Sequence, residues 1–221
     1  MTFGEKVIEY YRTVPLPKRL PKGVEVLYPF NDPTVLKLTQ LFCTKYYSGS
    51  HPRTFLIGIN PGRFGGGVTG IPFTDPIRLE EVLGIDNKMD KKAELSSKFI
   101  YDMIDVYGGP QDFYRDCYFT SVSPLGFVKD GKNLNYYDIR ELQDLLEDYI
   151  VTEFRKQIAF GAKSAAFSLG MGKNIAFLKK LNEKHQLFES IEALPHPRWI
   201  MQYRLKRKSE FIDQYVNTIK R

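Results

Sequence analysis

Asn60 closes the apolar run Phe55-Leu56-Ile57-Gly58-Ile59 and opens a loop that holds Pro61, Gly62, Gly65, Gly66, Gly67 and Gly70. An apolar strand, a polar residue at its carboxyl end and a glycine-rich loop are how open α/β sheets build ligand sites. Glycines let a backbone approach a ligand closely and aim N–H groups at it. Two common glycine motifs are excluded. A phosphate-binding P-loop needs Gly-Lys followed by Ser or Thr, whereas Gly70 is followed by Ile71 and Pro72. The dinucleotide fingerprint G-x-G-x-x-G fails because Asn60 stands at its second glycine and Pro61 removes an N–H. A glycine-rich hairpin without chemistry is the alternative for the loop taken alone.

Elements that could position such a loop are legible around it. Residues 1–25 read as a loosely packed segment, with a short helix over 3–12 set apart by Pro15, Pro17 and Pro21. Helical spacing and capping residues predict helices over 33–47, 76–83, 92–107, 137–155, from Ala162, over 175–185 and over 206–219. Strands are predicted over 53–59, 116–122, 157–160 and 188–194. Strands separated by helices imply an α/β protein: a three-layer α/β/α arrangement around a central four-stranded, mainly parallel sheet. No repeat, linker or low-complexity tract divides the chain, so residues 1–221 read as a single domain. A site then belongs at the carboxyl ends of strands. Asn60 follows the first strand, Ser121 and Ser123 the second, and His196 the fourth.

The chain has 221 residues, 43% of them hydrophobic, which suits a globular domain with a sizeable core. No apolar run approaches a membrane span, and the first residues lack a signal-peptide core. The expectation is a cytoplasmic or nuclear protein that is not secreted. Cys43 and Cys117 are far apart, and no Cys/His spacing suggests zinc. Net charge is +6. From Arg198 onward Arg198, Arg204, Lys206, Arg207, Lys208, Lys220 and Arg221 face only Glu210 and Asp213. Such a basic end suits a polyanion partner or, alternatively, an ordinary solvated helix face.

The motifs resemble those of the uracil-DNA glycosylase superfamily, most closely its single-strand-selective monofunctional branch. Gly58-Ile59-Asn60-Pro61-Gly62-Arg63-Phe64-Gly65 with Thr69-Gly70-Ile71-Pro72-Phe73 is similar to the first motif of that superfamily. Leu194-Pro195-His196-Pro197-Arg198 takes the place of the second. Residues 109–117, Val122-Ser123-Pro124-Leu125 and Lys132-Asn133-Leu134 resemble the same branch, and the likeness runs from about residue 28 to the end. The resemblance implies a monofunctional DNA glycosylase of base excision repair, cleaving the N-glycosidic bond of a damaged base. Its partner would be single- or double-stranded DNA carrying such a base, and a monomer without cofactor or metal is expected. Asn60 would position the attacking water, and His196 would donate a hydrogen bond to the base oxygen. Phe73 would stack on the flipped base, with the backbone around Ile59 and Phe64 lining the pocket. The loop after His196 would press into the duplex, with Arg198, Trp199, Arg204, Lys206 and Arg207 on DNA. For Trp199, packing is the competing role. No lysine stands at the motif positions to form a Schiff base, so a lyase step is not expected.

Two positions bear on substrate choice. The most uracil-selective members carry tyrosine two places after the water-binding residue. Gly62 there leaves space for C5-substituted uracils such as 5-hydroxymethyluracil. Ser121 replaces the asparagine that the branch uses to read the pairing edge, which admits other keto bases such as xanthine and hypoxanthine. Asp75 is either an extra polar group in the pocket or the N-cap of the helix from Pro76. His51 and His185 read as surface residues. A non-catalytic nucleic-acid-binding module that keeps the fold is the alternative function. A nucleotide-binding enzyme unrelated to DNA is a third, and it leaves the basic carboxyl-terminal end unexplained.

Overall fold

Arg53–Gly58 is buried along its whole length, and around this strand the other elements assemble in the computed structural model, which describes residues 1–221. In chain order the elements are α1 (Phe3–Thr13), β1 (Val24–Leu27), α2 (Pro33–Tyr46), β2 (Arg53–Gly58), α3 (Gly66–Thr69), α4 (Pro76–Glu81), α5 (Leu95–Tyr107), α6 (Gly109–Asp116) and β3 (Cys117–Ser121). They continue with β4 (Gly126–Lys129), β5 (Lys132–Leu134), α7 (Arg140–Ile158), β6 (Ala162–Leu169), α8 (Lys173–His185), β7 (Ser190–Leu194), α9 (Pro197–Tyr203) and α10 (Lys208–Ile219). The main sheet has four strands in the order β3-β2-β6-β7, all parallel, with helices between successive strands. The strand order switches at β2: β3, the next strand of this sheet in the chain, lies on one side of it, and β6 and β7 lie on the other. The crevice at the carboxyl ends of such strands is where this class of sheet holds ligands.

The third strand differs from expectation. Residues 157–160 end a helix and turn, and Ala162–Leu169 is strand β6, not a helix. Alanines at 165 and 166 favour a helix by propensity. Between β2 and β7, however, Ala166 stands opposite Phe55 on one side and Ile191 on the other, a packing context that overrides propensity.

The amino-terminal segment also differs. The helical part of residues 1–25 is not loosely packed: Thr2 caps α1 in a reciprocal box with Glu5, and Phe3, Val7, Ile8, Tyr10 and Tyr11 are buried, whereas most of residues 12–23 are exposed. The Phe3 ring lies 5.0–6.5 Å from the rings of Tyr47, Phe55, Tyr118 and Phe160, inside the core. Pro15, Pro17 and Pro21 stop the helix without detaching it.

A second sheet, order β1-β4-β5, is antiparallel and was not anticipated. Its β4–β5 hairpin turns on Asp130 and Gly131, at φ 49° and 69°. An Asp-Gly pair with both residues left-handed is a favoured two-residue hairpin turn. This small sheet stands over the carboxyl end of β2 and, as described next, holds the side chain of Asn60.

Candidate active site

A cleft of about 530 Å³ opens at the carboxyl edge of the main sheet, well within the range of roughly 300–1,000 Å³ seen for small-molecule sites. Ile59, Asn60, Gly62, Phe64, Phe73, Ser121, His196, Arg198 and Trp199 all line it. Asn60 and His196, 136 positions apart in sequence, thus face one space. Their strands, β2 and β7, are separated by β6 alone. Two strand spacings give roughly 10 Å between the strand ends, a gap that suits a nucleobase edge-on.

Asn60 does not swing freely. Its Nδ2 donates to the carbonyls of Pro61 (3.1 Å) and Leu134 (3.2 Å), and its Oδ1 accepts from the Tyr136 N–H (3.0 Å). Two carbonyls on one end and an N–H on the other fix which end is oxygen. One lone pair of Oδ1 is left for a water molecule. Leu134 ends β5 and Tyr136 follows it, so the small sheet orients this group.

His196 is the N-cap of α9, and its Nδ1 accepts from the Arg198 N–H at 3.1 Å. An accepting Nδ1 places the ring proton on Nε2. Burial, assisted by the Arg198 charge, lowers the His196 pKa from 6.5 to about 4. The group is therefore a neutral imidazole with one N–H to give. Phe73 sits beside it, ring centroids 6.2 Å apart. Its backbone is held at φ 56°, a left-handed conformation costly for a bulky residue. Gly58 makes room for that ring: a Cβ there would lie 3.3 Å from Phe73 Cζ.

The glycine loop is built partly for the chain itself. A Cβ on Gly67 would lie 1.5 Å from the Gly62 carbonyl oxygen, so the loop folds over itself only with glycine there. Gly62 lines the cleft, and the Asn133 amide stands 3.1 Å from where a Cβ on it would project. Phe64 is 55% exposed at the rim, its ring under the Arg63 guanidinium at 5.7 Å. Ser121 is half-buried at the end of β3, level with Gly58. Asp75 is the N-cap of α4, accepting from the Arg78 N–H at 2.9 Å, and is fully buried. His51 is exposed and His185 is half-buried.

The residues after His196 form a helix, α9, not a loop. Trp199 is 39% exposed: one edge packs on Phe211 and its face carries the Arg204 guanidinium at 4.9 Å. Arg204 and Lys206 are exposed and lie outside the cleft. Arg207 is held by Glu210 at 2.8 Å, and Lys208 by Asp102 at 2.7 Å. Sequence reasoning missed Asn133, Asn135, Tyr137 and Glu94, which also line the cleft. Burial pushes the Glu94 carboxyl up, against the pull of Arg198.

A model of the Uracil DNA glycosylase superfamily matches residues 44–220. This chain belongs to that superfamily. The segments of this chain that resemble its motifs lie at strand ends that the fold brings to one cleft. The chain is similar over its whole length to Pedobacter heparinus SMUG2, whose wild-type crystal structure superposes with a TM-score of 0.96 at 39% identity and is itself 97% covered. It is also 28% identical over 116 residues to the rat (Rattus norvegicus) single-strand selective monofunctional uracil-DNA glycosylase. That match spans 44% of this chain and 41% of the relative. No helix in this superfamily member is long and apolar enough to cross a membrane.

Proposed function

We propose that this chain is a monofunctional DNA glycosylase of base excision repair that hydrolyses the N-glycosidic bond of uracil and related bases in DNA. One observation carries the reading: a clamped carboxamide, Asn60, and a neutral imidazole, His196, line one base-sized cleft. A base inside a stack must leave it to be reached. Phe73 stacks on the extruded base. As the C1′–N bond lengthens, electrons move onto the base and positive character grows on the sugar. The His196 Nε2–H donates to the base oxygen where that negative charge builds, and favours the transition state over the ground state. Asn60 Oδ1 holds a water against C1′; the water supplies hydroxide to the sugar, and its proton leaves to solvent or the departing base. Asparagine is no strong base, which fits a dissociative reaction. Arg198, Trp199, Arg204, Lys206 and Arg207 form the DNA-facing surface, with Trp199 at the place where a side chain fills the vacated stack. Arg207 would need to exchange Glu210 for a phosphate.

Ser121 is proposed to read the pairing edge. Its hydroxyl offers one donor and can rotate to accept, so it admits xanthine and hypoxanthine as well as uracil. The deciding experiment is a panel of oligonucleotides carrying uracil opposite G, uracil opposite A, unpaired uracil, 5-hydroxymethyluracil, xanthine or hypoxanthine, scored for alkali-labile sites. Release of uracil and at least one further keto base is expected. Salt-dependent binding without any abasic product would establish the non-catalytic module instead.

The neutral histidine sets a pH dependence. Base release should stay level as pH falls through 6.5 and drop only towards about 4, where His196 gains a second proton and Nδ1 stops accepting. Stability should follow the same sense. The folded pKa lies below the unfolded one, so the folded state binds fewer protons between about 4 and 6.5, and stability present above pH 6.5 is lost as pH falls. A single-turnover pH profile with an inflection near 6.5 would contradict the assignment.

A further inference from the structure

Asn133 stands in the cleft with an amide whose direction is fixed and whose donors are unused. It lies in β5, one residue before the Leu134 carbonyl that holds Asn60. Its Oδ1 accepts from the Arg63 N–H at 3.0 Å, which turns Nδ2 towards Gly62, 3.1 Å from the position a Cβ there would take. No protein acceptor takes the Nδ2 hydrogens. The side chain is exposed and lines the same cleft as Asn60, Phe73 and His196.

The placement says which part of a base this amide would meet. Asn133 reaches the cleft from the small sheet, bonded to the loop that leaves β2, whereas His196 enters from β7, beyond β6. With the glycosidic nitrogen towards Asn60 and the neighbouring acceptor towards His196, the opposite flank of the base lies against the glycine loop. In a pyrimidine that flank is C5–C6; in a purine it is N7–C8. Uracil shows only C–H groups there, while 5-hydroxymethyluracil brings a hydroxyl oxygen and a purine brings N7.

We propose that Asn133 is a specificity-determining residue whose carboxamide N–H groups donate to an acceptor on that flank, favouring 5-hydroxymethyluracil and deaminated purines relative to uracil. This rests on the glycosylase reading above. A site that hydrogen-bonds a substrate atom discriminates against analogues that lack it.

The test uses oligonucleotides carrying uracil, 5-hydroxymethyluracil or hypoxanthine, with wild type, Asn133→Asp and Asn133→Leu compared in single turnover. Asn133→Asp keeps an oxygen for the Arg63 N–H and nearly the same shape but loses both donors. Asn133→Leu removes all polarity. In both variants the rate on 5-hydroxymethyluracil or hypoxanthine, divided by the rate on uracil, should fall about 5–10-fold, the span of one neutral hydrogen bond. A ratio unchanged within twofold, with every base slowed alike, overturns the proposal and marks Asn133 as a support of the loop. Uracil release by wild type with neither acceptor-bearing base cleaved overturns it too. Absence of uracil release by wild type is a different failure: it removes the glycosylase reading itself.

Discussion

Replacing His196 by alanine is expected to slow release of uracil from a single-stranded oligonucleotide about 10²–10³-fold, the usual cost of removing one donor aimed at developing negative charge. The size follows from the state of the ring. The proton sits on Nε2 because Nδ1 is taken by the Arg198 N–H, so the donor is in place before substrate arrives. Little reorganisation is then needed as the base becomes anionic. A neutral donor also avoids holding a full positive charge in a partly buried site, where desolvation penalises it. The contact gains most of its strength only as the bond breaks, so affinity for the oligonucleotide should change little. Rapid-quench kinetics and a binding titration read the two quantities separately. Turnover within a few-fold of wild type would remove His196 from the chemistry.

Asn60→Ala should be at least as severe in rate, about 10²-fold or more, since a nucleophile displaced by about 1 Å can cost that much. It differs from the histidine variant in also lowering stability. Asn60 ties Pro61, Leu134 and Tyr136 together through three hydrogen bonds. At about 0.5–1.5 kcal/mol each, and allowing for water replacing some of them, a loss of about 1–3 kcal/mol is expected. A thermal melt therefore accompanies the rate measurement. A slow but fully stable Asn60→Ala enzyme would mean that the clamp contributes little; a destabilised but fast one would mean that another group holds the water.

Much of this was readable from the chain alone, for reasons that can be traced to particular residues. The parallel strands around Phe55-Leu56-Ile57 and Cys117–Ser121 announce themselves by apolar runs bounded by turns. Asn60 and His196 stand out because each follows such a run. Ala162–Leu169 was misread because alanine carries no strand signal of its own; the burial between β2 and β7 that decides it is tertiary. Phe3 looked detachable because three prolines follow it, yet its ring fills a space among four aromatic residues. The small sheet left a better trace. Lys129-Asp130-Gly131-Lys132 carries the Asp-Gly turn between residues able to pair, and this dipeptide is a strong hairpin signal. Asn133 stands within Lys132-Asn133-Leu134, quoted for its resemblance alone; the role proposed for it needs the hairpin, because it comes from what the side chain faces and not from its own type or spacing.

The hairpin fastening Asn60 means that the reacting centre and the main sheet answer to different parts of the molecule. Substitutions along Val24–Leu27, none of which lines the cleft, would loosen the proposed hold on the water through β4 and β5 well before they melt the parallel strands. Loss of the proposed activity need not then coincide with loss of the folded protein.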